Sequence, residues 1–490
     1  MQLSMFKLFK DILLYSGGSF IGRIATFLLL PLTTSFLTPW DYGIIGILTW
    51  VPSIANGLFS LGFHTSLGRV YSSEHDPKNK EGVIWTAFLA LVANNVFWTS
   101  IAVLFSSQFS WVLLGSTQYH YMTTVTFLGI GICTVRLAFE YYLRASGQSK
   151  KVFCLSVLDV TCSISIMLFM VIYLRRGAQG YMEAFAISQT LNLVFMLALV
   201  VPNLHLIFHR QLLKELITIG IPCIWGFWGY CILQGASRYI LSMTVSESEA
   251  GYYFLGSNLG RVIELPLWGF LSAWVPLFNS YLHKQEEAPP LFSKIMTYYV
   301  LGMSAFAAAF FCFARPVAYH LLQPTYYHVW TLIGISAVSQ ALWGVYGITY
   351  PALIYHKKTT LQSCLELSAG ALCILFNLVL APFFMKEGAA AATLLGFLSL
   401  VLISVYINQK LMYVPYEFDR LFKIVFGLAL VAGISFVPIE SYLVYTPLMA
   451  MTLAIYLAFA WYGILTREEK IRIWQTIQQR LLAKPSTTLP

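Results

Sequence analysis

The chain has 490 residues, of which 58% are hydrophobic and only 10% charged, with a formal net charge of +9. A soluble domain carries about 25% charged residues, so this composition, with a mean hydropathy of +0.71, excludes an ordinary globular protein and implies many crossings of a bilayer. The positive charge lies in short connections and the C-terminal tail rather than in a basic domain, which argues against nucleic acid as a partner.

In chain order the apolar runs predict fourteen spans. They lie near 11–36, 42–69, 83–106, 118–142, 152–173, 181–202, 216–240, 251–280, 294–314, 330–355, 361–384, 389–408, 421–438 and 443–465. Lys7 and Lys10 precede the first run, which continues through Pro31 without a small-residue cleavage site, so it reads as a retained span and not a leader. All eight cysteines fall inside apolar segments without a C-x-x-C pair and read as small hydrophobes. The nine histidines lie mostly near span ends or in loops, without metal-ligand spacing. Pro31, Pro52, Pro222, Pro266 and Pro276 are placed to bend or end spans 1, 2, 7 and 8. After span 14, Thr466-Arg467-Glu468-Glu469 is a capping-box start. Ile471, Ile473, Trp474, Ile477 and Leu481 then give one apolar face, so the tail reads as an amphipathic surface helix or as a frayed charged end.

With the N-terminus cytoplasmic, the inner loops and tails hold 22 of the 30 Lys and Arg residues and the outer loops hold four (Arg175, Arg176, Arg315, Lys386). That bias predicts both termini inside. Four arginines (Arg23, Arg136, Arg238, Arg261) are left within spans.

The chain repeats itself. Lys150, Lys151, Ser156, Leu158 and Asp159 are matched by Lys357, Lys358, Ser363, Leu365 and Glu366, an offset of 207 (366 − 159). Asp41-Tyr42-Gly43 is matched by Ala250-Gly251-Tyr252 at 208 (251 − 43), and Gly177 by Gly388 at 211 (388 − 177). Offsets this steady predict one six-span unit used twice. Because six is even, both copies share one orientation, the parallel-repeat plan of two-lobed transporters. The expected fold is therefore all-α and polytopic, with about fourteen transmembrane helices in two pseudo-symmetric six-helix lobes plus two C-terminal helices. Its parts are an N-lobe at 1–205, a C-lobe at 206–412, two appended spans at 413–465 and a cytoplasmic tail at 466–490.

Several stretches carry a family resemblance. Gly17-Gly18, Arg23, Leu30-Pro31-Leu32-Thr33 and Leu37-Thr38-Pro39-Trp40-Asp41-Tyr42-Gly43 resemble the opening of the polysaccharide-transporter family. These are the O-antigen and exopolysaccharide flippases of the multidrug/oligosaccharidyl-lipid/polysaccharide exporter superfamily. Arg238-Tyr239-Ile240-Leu241, Glu249-Ala250-Gly251-Tyr252-Tyr253 and Ala273-Trp274-Val275-Pro276 are similar to its seventh and eighth spans, and Leu321-Leu322 with Tyr326-Tyr327 to its outer loop before span 10. The resemblance implies a V-shaped helical fold. The implied activity moves an undecaprenyl-diphosphate-linked oligosaccharide across the bacterial inner membrane, with biosynthetic partners such as a polymerase.

A charge at the bilayer centre costs roughly 2.5–3.5 kcal/mol on insertion scales, so each one needs a wet or paired environment. Arg23, Arg238 and Arg261 are the candidate substrate-binding residues, because a guanidinium binds phosphate oxygens bidentately and stays charged. For Arg23 the alternative is a tie between helices, and for Arg238 it is snorkelling to the outer interface. Arg261 and Glu264, at i, i+3, share a helix face and are as readily a structural pair. Arg136 and Glu140, at i, i+4, read as structural. Asp159, Glu366 and Glu264 are the candidate ion-coupling or cavity acids. Asp159 and Glu366 are expected to face the space between the lobes, either driving transport by a proton or sodium gradient or pairing with cavity arginines. No cofactor or metal is implied.

Two rival functions are open. A cation-coupled drug exporter of the same superfamily would typically have twelve spans and an acid low in span 1, where this chain has Arg23. A membrane polymerase or glycosyltransferase needs outer loops large enough to hold a sugar chain, and here those loops are about 15 residues or fewer. The chain is thus expected to be a transporter and not an enzyme.

Overall fold

The structure is a computed structural model that describes residues 21–22, 24–74, 76–281, 287–356, 358–438, 442–471 and 474–475. Among these the chain is helical throughout, without strands, and ten helices are long and apolar enough to cross a membrane. Span 1 lies partly outside the described residues, and the rest of the difference from fourteen runs has local causes. Span 8 is broken into Glu247–Gly260, a 3₁₀ turn Arg261–Ile263 and Glu264–Tyr281. Spans 11 and 12 run together as Thr359–Leu411, bent at Met385 where φ is +49°. Span 13, Phe418–Ser435, carries Asp419, Arg420 and Lys423 at its start.

Helices begin where the local chemistry provides a cap. Span 2 (Pro39–Phe59) starts with Thr38 accepting from the Asp41 N–H at 3.2 Å, while Asp41 accepts from the Thr38 N–H at 2.9 Å. The first helix of span 8 starts the same way, Ser246 accepting from the Glu249 N–H at 3.2 Å. These caps are 208 residues apart (246 − 38, 249 − 41). Each capping acid then ties its repeat together at the same end. Asp41 accepts from the Ala178 N–H at 2.9 Å and Glu249 from the Lys386 N–H at 3.3 Å, again 208 apart (386 − 178). Gly177 (φ +53°) precedes the first tie, where a Cβ would stand 2.8 Å from Asp41 Oδ1.

The repeats meet through these same segments. A Cβ on Gly43 would lie 2.0 Å from the Glu247 carbonyl oxygen, and one on Gly251 would lie 1.9 Å from the Pro39 carbonyl oxygen. Since Pro39 and Gly43 correspond to Glu247 and Gly251, the contact is reciprocal, backbone against backbone, as in an interface between two copies. Tyr326 seals it, donating to the Leu37 carbonyl and meeting Tyr42 and Tyr252 edge-on at 5.6 and 6.0 Å. We call this the Thr38 end of the bundle. Span 7 (Arg210–Thr244) also lies along span 2, where Trp50 Nε1 donates to the Cys231 carbonyl at 2.8 Å and Trp228 Nε1 to the Ile54 carbonyl at 3.0 Å. Spans 13 and 14 pack against span 9 (Ala288–Leu321), with Tyr456 donating to Ser304 at 2.7 Å.

Candidate functional site

Two cavities open below the Thr38 closure. The larger, 560 Å³, lies among spans 1, 2, 5, 6 and 8 and is largely apolar, lined by Phe27, Leu30, Ile164, Met167, Leu255 and Val262, with Ser163, Ser188 and Asn258 supplying polar groups. The smaller, 340 Å³, lies among spans 2, 7 and 8 and is lined by Thr49, Ser53, Tyr230, Gln234, Asn258, Arg238 and Arg261 among others. Arg261, Asn258, Phe254 and Tyr181 line both, so the two spaces adjoin at the break in span 8.

Arg238 is 5% exposed. Its guanidinium lies 4.7 Å from the Phe254 ring centroid, and Nη1 reaches the Gly46 carbonyl only at 3.5 Å. Nε is buried without a partner, and among the described residues no carboxylate lies within ion-pair distance of Arg238. Forked donor capacity is therefore left over. Arg261 is held differently, its Nε donating to Glu264 Oε1 at 2.7 Å, the i, i+3 pair that the spacing predicts. The pair fixes the guanidinium at the mouth shared by both cavities.

The smaller cavity also contains polar groups that the sequence reading passed over. Gln234 and Gln340 form a reciprocal amide pair at 3.1 and 3.0 Å, and Gln234 also donates to Tyr230 at 3.1 Å. Tyr230 in turn packs on Trp343 with ring centroids 4.5 Å apart. The signal for them in the sequence is an uncharged amide inside an apolar run.

Arg23 lies outside the described residues. The two matched acids do not line either of these cavities. Asp159 Oδ2 lies 3.7 Å from Arg136 Nη1, and Arg136 Nε lies 3.2 Å from Glu140, so spans 4 and 5 close a three-member charge cluster inside the N-terminal repeat. Ser163, one turn further along span 5, is the residue of that face that reaches a cavity. Glu366 is 6% exposed and packs against span 7, whose Gly226 and Gly229 leave room for it. It accepts from Tyr346 at 2.7 Å and Gln362 at 3.2 Å. Tyr346 lies on span 10 and Arg136 on span 4, the spans that precede the two acids in each repeat. Equivalent acids are thus paired with a cation in one copy and with neutral donors in the other.

An all-helical bundle of two repeats with a cationic cavity between them defines the class, an all-α polytopic membrane protein of two lobes. The chain belongs to the family described as polysaccharide biosynthesis protein, whose model matches residues 8–282. Among solved structures it is similar to the lipid II flippase MurJ in an inward closed conformation (12% identity, 92% of this chain and 99% of that one, TM-score 0.69). It is also similar to an inward-facing multidrug resistance MATE family transporter of the MOP superfamily (14% identity, 80% and 98%, TM-score 0.66). A third likeness is to a MOP superfamily transporter from Pyrococcus furiosus reported for the reverse polarity of its binding pocket (14% identity, 83% and 95%, TM-score 0.59). No curated protein sequence matches the chain. At these identities the structural likenesses establish the fold, which is one of transporters and flippases.

Proposed function

We propose that the protein is a flippase that moves an undecaprenyl-diphosphate-linked oligosaccharide repeat unit, of the O-antigen or exopolysaccharide type, across the bacterial inner membrane by alternating access. The observation that carries this reading is Arg238, a buried guanidinium beside Arg261 in a polar cavity between the repeats, without a carboxylate partner among the described residues. Guanidinium forks match the oxygens of a diphosphate, and the neutral amides and hydroxyls around them suit a sugar. The adjoining apolar cavity suits hydrocarbon. Arg23 is proposed as a third diphosphate ligand. A cationic drug is disfavoured, because among the described residues no Asp or Glu lines the smaller cavity.

In this reading the lobes are residues 1–205 and 206–412, and both termini are cytoplasmic, so the Thr38 end faces outward and is closed. Glu366 is the better candidate for proton coupling. A buried carboxyl held by neutral donors changes charge on binding a proton, whereas Asp159 is fixed by Arg136. The test is transfer of a fluorescent diphosphate-linked oligosaccharide lipid across proteoliposome membranes. Wild-type protein should transfer it and Arg238→Ala should not, with Arg238→Lys intermediate because the fork is lost. Equal transfer by wild type and Arg238→Ala at matched reconstitution refutes the reading.

A further inference from the structure

Opposite the Thr38 end, the tail after span 14 is fastened at its first turn. The Thr466 N–H donates to Glu469 Oε2 at 2.8 Å and the Glu469 N–H to Thr466 Oγ1 at 3.3 Å, the capping box read from sequence. The same Glu469 receives a forked pair from Arg420 at 2.8 and 3.2 Å and the hydroxyl of Tyr298 at 2.6 Å. Arg420 extends to Glu417 at 2.9 Å, which accepts from Thr297 at 2.7 Å. The starts of spans 9 and 13 and of the tail are therefore one ionic cluster.

Past this clamp the tail turns an apolar face outward. Ile471 and Trp474, at i, i+3, are 49% and 60% exposed. Lys470 Nζ lies 5.4 Å from the ring of the exposed Tyr462, an aromatic and a cation together at the level where the last span ends, as at a membrane–water interface. Residues 466–490 contain Arg467, Lys470, Arg472, Arg480 and Lys484 against Glu468 and Glu469, and the clamp occupies Glu469. Exposed apolar groups beside unopposed cations are complementary to one surface, a bilayer of anionic lipid.

We propose that the tail binds the anionic phospholipid surface beside the last span, and that the Arg420–Glu469 clamp passes this contact to spans 9 and 13. This role is separate from the substrate cavity. The test uses the full chain in nanodiscs of phosphatidylcholine alone or mixed with phosphatidylglycerol, following amide hydrogen exchange over 467–475. Protection should be about 25-fold higher in the anionic discs, at about fivefold for each of Arg467 and Lys470. It should fall to the neutral-disc value in the double variant Arg467→Glu/Lys470→Glu and rise in Glu468→Lys. Equal protection in both discs overturns the proposal, because the clamp alone then orders the tail. Protection that follows protein density at fixed lipid composition also overturns it, in favour of a second copy as the occupant.

Discussion

Replacing Arg238 by methionine should weaken substrate binding and stabilise the protein at once. Two charge-assisted hydrogen bonds to a diphosphate, at about 1.5–3 kcal/mol each, are lost, which is roughly a hundredfold or more in affinity at 1.4 kcal/mol per tenfold. In the empty protein the guanidinium has one long hydrogen bond of 3.5 Å and one ring contact at 4.7 Å. The ring contact contributes about 1–2 kcal/mol. Against this, a buried ion with incomplete partners carries a desolvation penalty of several kcal/mol, and apolar replacements of buried ion pairs stabilise by as much as about 4 kcal/mol. Arg238→Met should therefore leave the protein about 1–2 kcal/mol more stable, a small rise in Tm. The buried free thiols of Cys231, Cys312 and Cys373 supply the assay, since a thiol-reactive dye labels them as the chain unfolds. A lower Tm together with unchanged binding of the diphosphate-linked lipid would refute the reasoning and make Arg238 a structural tie to Gly46.

Three further outcomes are expected. Gly251→Val should prevent closure of the Thr38 end, because even a Cβ there stands 1.9 Å from the Pro39 carbonyl oxygen; a cysteine placed at Ser188 should become more reactive to an impermeant thiol reagent added from that side. Glu366→Gln should flatten the response of transfer to an imposed proton gradient while substrate binding persists, and Asp159→Asn should not; gradient-driven assays in proteoliposomes separate the two. The clamp should open in acid. Burial works to raise the Glu469 carboxyl, but Arg420, Tyr298 and the Thr466 N–H outweigh it and hold the group at about 2, below the ordinary 4.5. A depressed carboxylate stabilises fully above its unfolded value, so tail docking should weaken as pH falls from about 4.5 towards 2, read by the anisotropy of a dye at Gln475→Cys.

Much of this architecture is legible in the residues. The capping box at Thr466, the Arg261–Glu264 pair and the 208-residue register of Gly43 with Gly251 all follow from local chemistry and spacing, and each has its counterpart in the structure. What was hidden is which side of a span faces what. In a membrane both lipid and protein interior are apolar, so hydropathy does not separate a cavity face from a packed one. Glu366 therefore reads as a cavity acid, whereas Gly226 and Gly229 of span 7 make room for it in the core. The partner of Asp159 was out of reach for a similar reason, since Arg136 already had a local acid in Glu140. The break of span 8 at Arg261–Ile263 was open to the sequence, because Pro266 cannot donate to the Val262 carbonyl four residues earlier.

The reciprocal contact at Gly43 and Gly251 sets a rule for how the two halves can change. Where a helix step presses on its own counterpart, each copy is the template for the other, and a bulkier residue in one half collides with a carbonyl of the other. Elsewhere the halves have drifted apart, as Arg136 beside Asp159 and Tyr346 beside Glu366 show, because those neighbours lie within one copy. Along the shared axis divergence has to be joint, so a change at Gly43 or Gly251 requires an answering change in the facing copy.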